Sequence, residues 1–193
     1  MKLLIFGNSG SGKSTLARKL AAEHQIAHLD LDSIVWEPET IAVPRATAKV
    51  HADLSSFIDA HENWVIEGCY GELISAASSS CTDLLFLNPG LEACLRHNQS
   101  RPWEPHKYQS KEAQDSMLEN LQAWVAGYYE RKDDWSYHAH RRIFDTHTGG
   151  KRELTDPHGE SATNRESAEV PPNPSVELTP DGLRPLAAAH VKR

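Results

Sequence analysis

The sequence has no apolar stretch near the roughly 18 residues that a helical membrane span requires. Its start, Met1-Lys2-Leu3-Leu4-Ile5-Phe6, carries one charge and a short apolar run that stops at Gly7, too brief for a secretory leader. Cysteine is scarce: Cys69, Cys81 and Cys94 are odd in number and lack CxxC spacing. That pattern argues against a disulfide framework and for reduced thiols in a cytoplasmic protein. Positive charge is in deficit, with 20 Lys+Arg against 27 Asp+Glu and a net charge of −7. Such a balance excludes a chain held on nucleic acid chiefly by phosphate neutralisation, while leaving room for a local basic pocket for a small anion. Aromatic residues are absent from Asp156 to Arg193, where six of the 11 prolines fall (Pro157, Pro171, Pro172, Pro174, Pro180, Pro185). A segment so poor in apolar surface is expected to stay disordered, so 156–193 reads as a tail.

What is present is enough for one domain. The chain has 193 residues, 39% hydrophobic and 24% charged, and up to Thr155 short apolar runs alternate with helix-period segments. That alternation predicts a three-layer α/β fold on a parallel sheet over residues 1–155. The strands expected are Lys2–Phe6, Ile26–Asp30, Trp64–Glu67, Asp83–Asn88 and Arg142–Asp145. The helices expected are Lys13–His24, Ala46–Ala60, Leu91–Ser100 and a long Ser110–Arg131 with a stripe of Met117, Leu121, Trp124, Val125 and Tyr128. In such a sheet the ligand cleft lies at the carboxyl ends of the strands.

Gly7-Asn8-Ser9-Gly10-Ser11-Gly12-Lys13-Ser14 matches G-x-x-x-x-G-K-[ST] in full, between an expected strand and an expected helix. The glycines let successive backbone N–H groups turn inward around a phosphate chain, and the helix N-terminus adds partial positive charge there. Lys13 would reach the outer phosphates, the Ser14 hydroxyl would ligate Mg²⁺, and Thr15 continues the phosphate-binding set. A nucleoside triphosphate is the expected ligand. The second strand ends in Asp30-Leu31-Asp32, and strand alternation would put both carboxylates on one side. Asp30 is expected near Mg²⁺, and Asp32 at an acceptor hydroxyl whose proton it would take. Beyond the third strand, Glu67 would hold a metal-bound water or the substrate, Gly68 would admit backbone to the cleft, and Tyr70 would line the acceptor pocket.

Phosphoryl transfer concentrates negative charge in its transition state, so cations should close over it. Arg101 and Arg131 are the candidates, with Arg96 at the donor phosphates and Lys107 as a further one, around a short lid at about 102–111. Thr146–Lys151 is expected where a loop meets the purine. The 11 histidines show no metal-ligand spacing; His138 and His140 read as loop residues.

With these residues in this order the chain resembles the P-loop kinases of the adenylate kinase and shikimate kinase type. Within that group, His28 to Trp36 and Trp64 to Tyr70 are most similar to small bacterial adenylate kinase-like, or "DNA topology modulation", proteins. The resemblance covers residues 1–155 and implies strand order 2-3-1-4-5, Mg-ATP as donor and arginines in a lid. Gly68-Cys69-Tyr70-Gly71 stands where shikimate kinases have a glycine run, and the Gly-Phe-Pro-Arg stretch of adenylate kinases is absent. What carries over is the reaction type, an ATP-dependent transfer to a small hydroxyl compound, nucleoside or nucleotide. Two other readings use the same loop: a nucleotide-dependent switch or partner-binding ATPase without an acceptor, and a nucleic-acid end-processing kinase, supported only by Arg131-Lys132 and Arg141-Arg142. No Asn-Lys-x-Asp sequence for guanine is present.

Overall fold

The computed structural model describes residues 1–37, 43–104 and 108–156. The tail from 157 onward, part of the expected lid and Lys107 lie outside the described residues. Within them, five strands form one parallel sheet, β1 (Lys2–Gly7), β2 (Ala27–Asp30), β3 (Trp64–Gly68), β4 (Asp83–Leu87) and β5 (Gly150–Leu154), in the order 2-3-1-4-5. The helices are α1 (Lys13–His24), α2 (Asp32–Val35), α3 (Thr47–Ala60), α4 (Gly71–Ser78), α5 (Leu91–Gln99), α6 (Lys111–Ser116), α7 (Leu118–Ala126) and α8 (Tyr137–Thr146). No helix among the described residues is long and apolar enough to cross a membrane.

The central strands read as continuous apolar runs because both sheet faces are covered. Leu4, Phe6, Trp64, Ile66, Leu84 and Phe86 face one way, against Val50 and Leu54 of α3 and Leu73, Ile74 and Ala77 of α4. Leu3, Ile5, Val65, Leu85 and Leu87 face the other way, onto Ala17, with Leu16, Leu20 and Ala21 of α1 beside it.

Two expected elements are corrected. Arg142–Asp145 is not a strand; it belongs to α8, whose Ala139 and His140 are buried and whose Tyr137, Ile143 and Phe144 pack on the core. Spacings of three and four residues give that helix its inward face, and Ser136 caps it by accepting from the Ala139 amide at 3.2 Å. The fifth strand is Gly150–Leu154, a polar edge paired with β4 from Asp83↔Gly150 to Leu87↔Leu154. Consequently Thr146–Gly149 lies at the strands' amino ends, where the Gly150 amide donates to the Thr82 carbonyl at 3.1 Å, away from any purine in the cleft. The long Ser110–Arg131 helix is likewise divided, at Met117 and again before a 3₁₀ turn at Gly127–Tyr129, and Met117 is exposed.

His140, fully buried, ties α8 to the segment after β3. Its Nε2 lies 2.9 Å from the Cys69 carbonyl, which only accepts, so Nε2 carries the proton and Nδ1 accepts from the Tyr128 hydroxyl at 2.7 Å. Burial, the largest influence, pushes this imidazole down to about 4 from an unfolded value near 6.5. The unfolded chain therefore binds a proton that the fold refuses. Stability is full above pH 6.5 and falls as pH drops toward about 4, by about 3 kcal/mol in all. We expect urea midpoints between pH 7.5 and 4.5 to fall more for the wild type than for His140→Gln; equal falls would mean His140 is charged in the fold.

Candidate phosphate-binding and acceptor site

β1 runs out at Gly7, and the next residues wrap into a loop that ends where α1 begins at Lys13. Gly10 sits at φ 78°, and a Cβ there would meet the Cys94 carbonyl oxygen at 2.3 Å, so only glycine fits between this loop and α5. The loop is braced from several sides. Asn8 donates to the Val125 carbonyl at 3.1 Å, Ser9 Oγ donates to Asn98 Oδ1 at 3.2 Å, and His97 Nδ1 donates to the Gly10 carbonyl at 2.7 Å. No side chain caps α1, leaving the amides of its first turn facing the cleft.

Lys13 is 8% exposed, and its ammonium donates to the Asn8 carbonyl at 2.9 Å. Among the described residues no carboxylate stands within ion-pair distance of it. A buried cation with one neutral partner is costly unless an anion joins it. Ser11 Oγ, in the same loop, is buried without a partner among the described residues.

Facing Lys13 across a cleft of about 500 Å³ are Asp30, Asp32 and Glu67. Asp30 and Glu67 are paired positions of β2 and β3, so adjacent strand ends place both carboxylates on the α1 side. Glu67 is 2% exposed, and its Oε1 is buried without a partner among the described residues. Burial first, then the Asp30 charge, pushes its carboxyl up to about 7, opposed by Lys13 and by a hydrogen bond from Ser14. Ser14, Asp30 and Glu67 thus gather hard oxygen donors beside an orphaned buried carboxyl oxygen, a donor set that fits Mg²⁺.

Asp32 reaches the cleft by a route other than strand alternation. The strand ends at Asp30, and Asp32 opens the one-turn α2, its amide donating to Asp30 Oδ1 at 2.9 Å. Tyr70 stands behind Asp32 instead of lining the cleft: its hydroxyl donates to Asp32 Oδ1 at 2.5 Å and accepts from Trp36 Nε1 at 2.9 Å. Gly68 lines the cleft on one side and meets Leu31 on the other, where a Cβ would lie 2.8 Å from Leu31 Cδ1.

The arginines divide. Arg101 lines the cleft, pairing with Glu104 at 3.2 Å and lying 3.5 Å from Ser9 Oγ. Arg131 does not line it: its guanidinium stacks on Trp124 at 3.7 Å and donates to the Trp124 and Trp135 carbonyls at 2.8 and 2.6 Å. It fastens the turn after α7 where a reach over the phosphates was expected. Arg96 is an exposed residue of α5 outside the cleft, and its neighbour His97 turns inward in its place. Sequence reasoning passed over Arg18 and His97, which line the cleft together with Cys69 and Trp103, and Asn98, which braces the loop. The one local signal for Asn98 was a polar residue one helical turn after Cys94. Burial holds the Cys69 thiol up at about 12, so it is no nucleophile at neutral pH.

No known family model matches the chain, and no curated protein does. Among solved structures it is similar to a sugar kinase from Janibacter sp. HTCC2649, 17% identical with a TM-score of 0.44, over 79% of this chain and 83% of that one. A gluconokinase from Sinorhizobium meliloti 1021 is 14% identical with a TM-score of 0.40, over 76% and 97%. Shikimate kinase from Aquifex aeolicus is 18% identical with a TM-score of 0.39, over 75% and 93%. At such identities these are likenesses in chain trace, and the chemistry of this cleft follows from its own residues.

Lys13 gives a test that separates ligand binding from folding. Lys13→Met removes a buried charge while keeping the stem, so thermal stability without ligand should hold or rise. Mg-ATP at about 100 times its dissociation constant should stabilise the wild type by about 2.7 kcal/mol and leave the variant unmoved. An unchanged ligand response in Lys13→Met would remove Lys13 from the site.

Proposed function

We propose that the chain is an ATP-dependent phosphotransferase that moves the γ-phosphate of Mg-ATP to the hydroxyl of a small compound, nucleoside or nucleotide. The observation that carries this reading is one cleft walled by both halves of such a reaction. The glycine loop with its buried ammonium stands on one side, and Asp32, on a braced turn, on the other. The backbone of 7–15 cradles the donor phosphates, and Lys13 neutralises them. Magnesium, held by Ser14 and Asp30 with Glu67 beside them, would supply charge neutralisation at the phosphate oxygens. Asp32 orients the acceptor hydroxyl and accepts its proton as the new O–P bond forms. Arg101 stabilises charge on the transferring group. His97 holds the Gly10 carbonyl, and with it the loop's geometry, from behind.

Proton removal by a positioned carboxylate contributes about 10²–10⁴-fold. ADP release from Mg-ATP, measured against a panel of nucleosides, nucleotides, shikimate, gluconate and other small alcohols, should be stimulated by one of them. Asp32→Asn should then lose at least about 100-fold of the stimulated rate while still binding ATP. Acceptor phosphorylation at the wild-type rate in Asp32→Asn would overturn the assignment. Tight ATP binding unstimulated by every compound would favour the switch reading.

A further inference from the structure

Asp32 opens α2 and Trp36 caps its far end four residues on, and one turn of helix brings the two side chains to one hydroxyl. The Tyr70 hydroxyl is inserted between them, 2.9 Å from Trp36 Nε1 and 2.5 Å from Asp32 Oδ1. We propose that Tyr70 and Trp36 are positioning residues for the Asp32 carboxylate, a one-way line of hydrogen bonds that fixes its plane toward the acceptor hydroxyl. This rests on the reading of Asp32 as the group that takes the acceptor proton.

The direction of the line follows from the donor inventory. An indole N–H only donates, so Trp36 occupies a lone pair of the Tyr70 oxygen, and the phenolic hydrogen is committed to Asp32. Burial and the adjoining Asp32 charge raise the Tyr70 pKa far above its ordinary value, so the hydroxyl is a donor at every working pH. The bond to Asp32 arrives from the wall, since Asp32 lines the cleft and Tyr70, 8% exposed, does not. The Asp32 backbone is pinned as well, by its amide bond to Asp30 Oδ1. A hydrogen bond to one oxygen from a buried, immobile donor biases the carboxylate's setting about its Cβ–Cγ bond. Orientation of that kind is a large part of what a phosphotransferase contributes, because the loose transition state needs placement more than strong basicity.

Without Trp36 the tyrosine hydroxyl loses the donor that fixes its lone pair; without Tyr70 the carboxylate loses the bond that orients its Oδ1. The effects should therefore be unequal and not additive. Tyr70→Phe keeps the ring and removes only the hydroxyl. With the acceptor found in the panel, kcat should fall about 10–100-fold while the KM for ATP and the ATP-induced thermal shift stay at wild-type values. Trp36→Phe should cost about 3–10-fold in kcat and add nothing in the Tyr70→Phe background. A second readout needs no acceptor: the indole N–H resonance of Trp36 in a ¹⁵N-labelled chain should shift and exchange faster in Tyr70→Phe. Asp32→Asn, which replaces the acceptor of the Tyr70 hydrogen, should move that resonance too.

Wild-type kcat in Tyr70→Phe, with Asp32→Asn inactive, overturns this proposal and leaves the phosphotransfer reading standing. An unmoved Trp36 resonance in both variants also overturns it. If Asp32→Asn turns over acceptor normally, the function reading falls, and the positioning role falls with it.

Discussion

The side chain of Lys13 carries a full positive charge to a place where 8% of its surface meets water and one neutral carbonyl receives it. A cation so placed is only partly compensated by the carboxyls of the same cleft, and the loop around it is over-determined. Asn8 is fixed to α7 through the Val125 carbonyl, Ser9 to Asn98, and Gly10 to His97. Replacing Gly10 would drive a methyl group into α5, and each brace would have to shift with it. The neighbourhood is built for a ligand that brings negative charge.

The opposite wall is incomplete in the complementary sense. Asp30 and Glu67 occupy paired positions of adjacent strands, and burial, with the Asp30 charge beside it, pushes the Glu67 carboxyl up to about 7. A buried carboxyl in register with a second one is unfavourable for a fold by itself and favourable for one that receives a divalent cation. Lys13 on the loop side offsets part of the carboxyl charge on the strand side. A metal-bound phosphate chain, anionic toward Lys13 and cationic toward the carboxyls, would complement both walls.

Much of this was legible from the sequence, for a physical reason. The glycine loop depends on local backbone conformation, which glycine spacing encodes directly, and β1, β3 and β4 are apolar runs because the sheet is covered on both faces. Where the signal was not local, the reading failed. β5 is Gly-Lys-Arg-Glu-Leu, an edge strand held by pairing with β4 and by the bidentate bond from Arg141 to Glu153 at 2.7 Å, with no apolar pattern to announce it. The Ile143-Phe144 pair of α8 resembled a short strand because the rest of its inward face is Tyr137 and His140, residues that hydropathy does not count. From that one error the misplaced purine loop followed. Tyr70 and Trp36 are 34 residues apart, and no spacing rule connects them; the link from Tyr70 to Asp32 exists only in three dimensions.

The two walls of the cleft hang on different parts of the molecule. The loop side is braced by α5 and α7, whereas the acceptor side is held by α2 through Tyr70 and by α8 through the bond from His140 to the Cys69 carbonyl. What joins them is the parallel pairing of β1 with β3, Ile5 opposite Glu67 and Phe6 opposite Gly68. That register puts Glu67 on the α1 face beside Ser14 and lets Gly68 pack against Leu31. A slip of one residue would turn Glu67 into the apolar core and carry a valine or isoleucine side chain out of it. The slip is opposed by fully buried Trp64, Val65 and Ile66, whose burial contributes about 1.5–3 kcal/mol per large apolar side chain. The distance between the glycine loop and the Asp32 wall is therefore set by the hydrophobic core itself, and the polar bonds around the cleft refine orientation within a span that the core has already fixed.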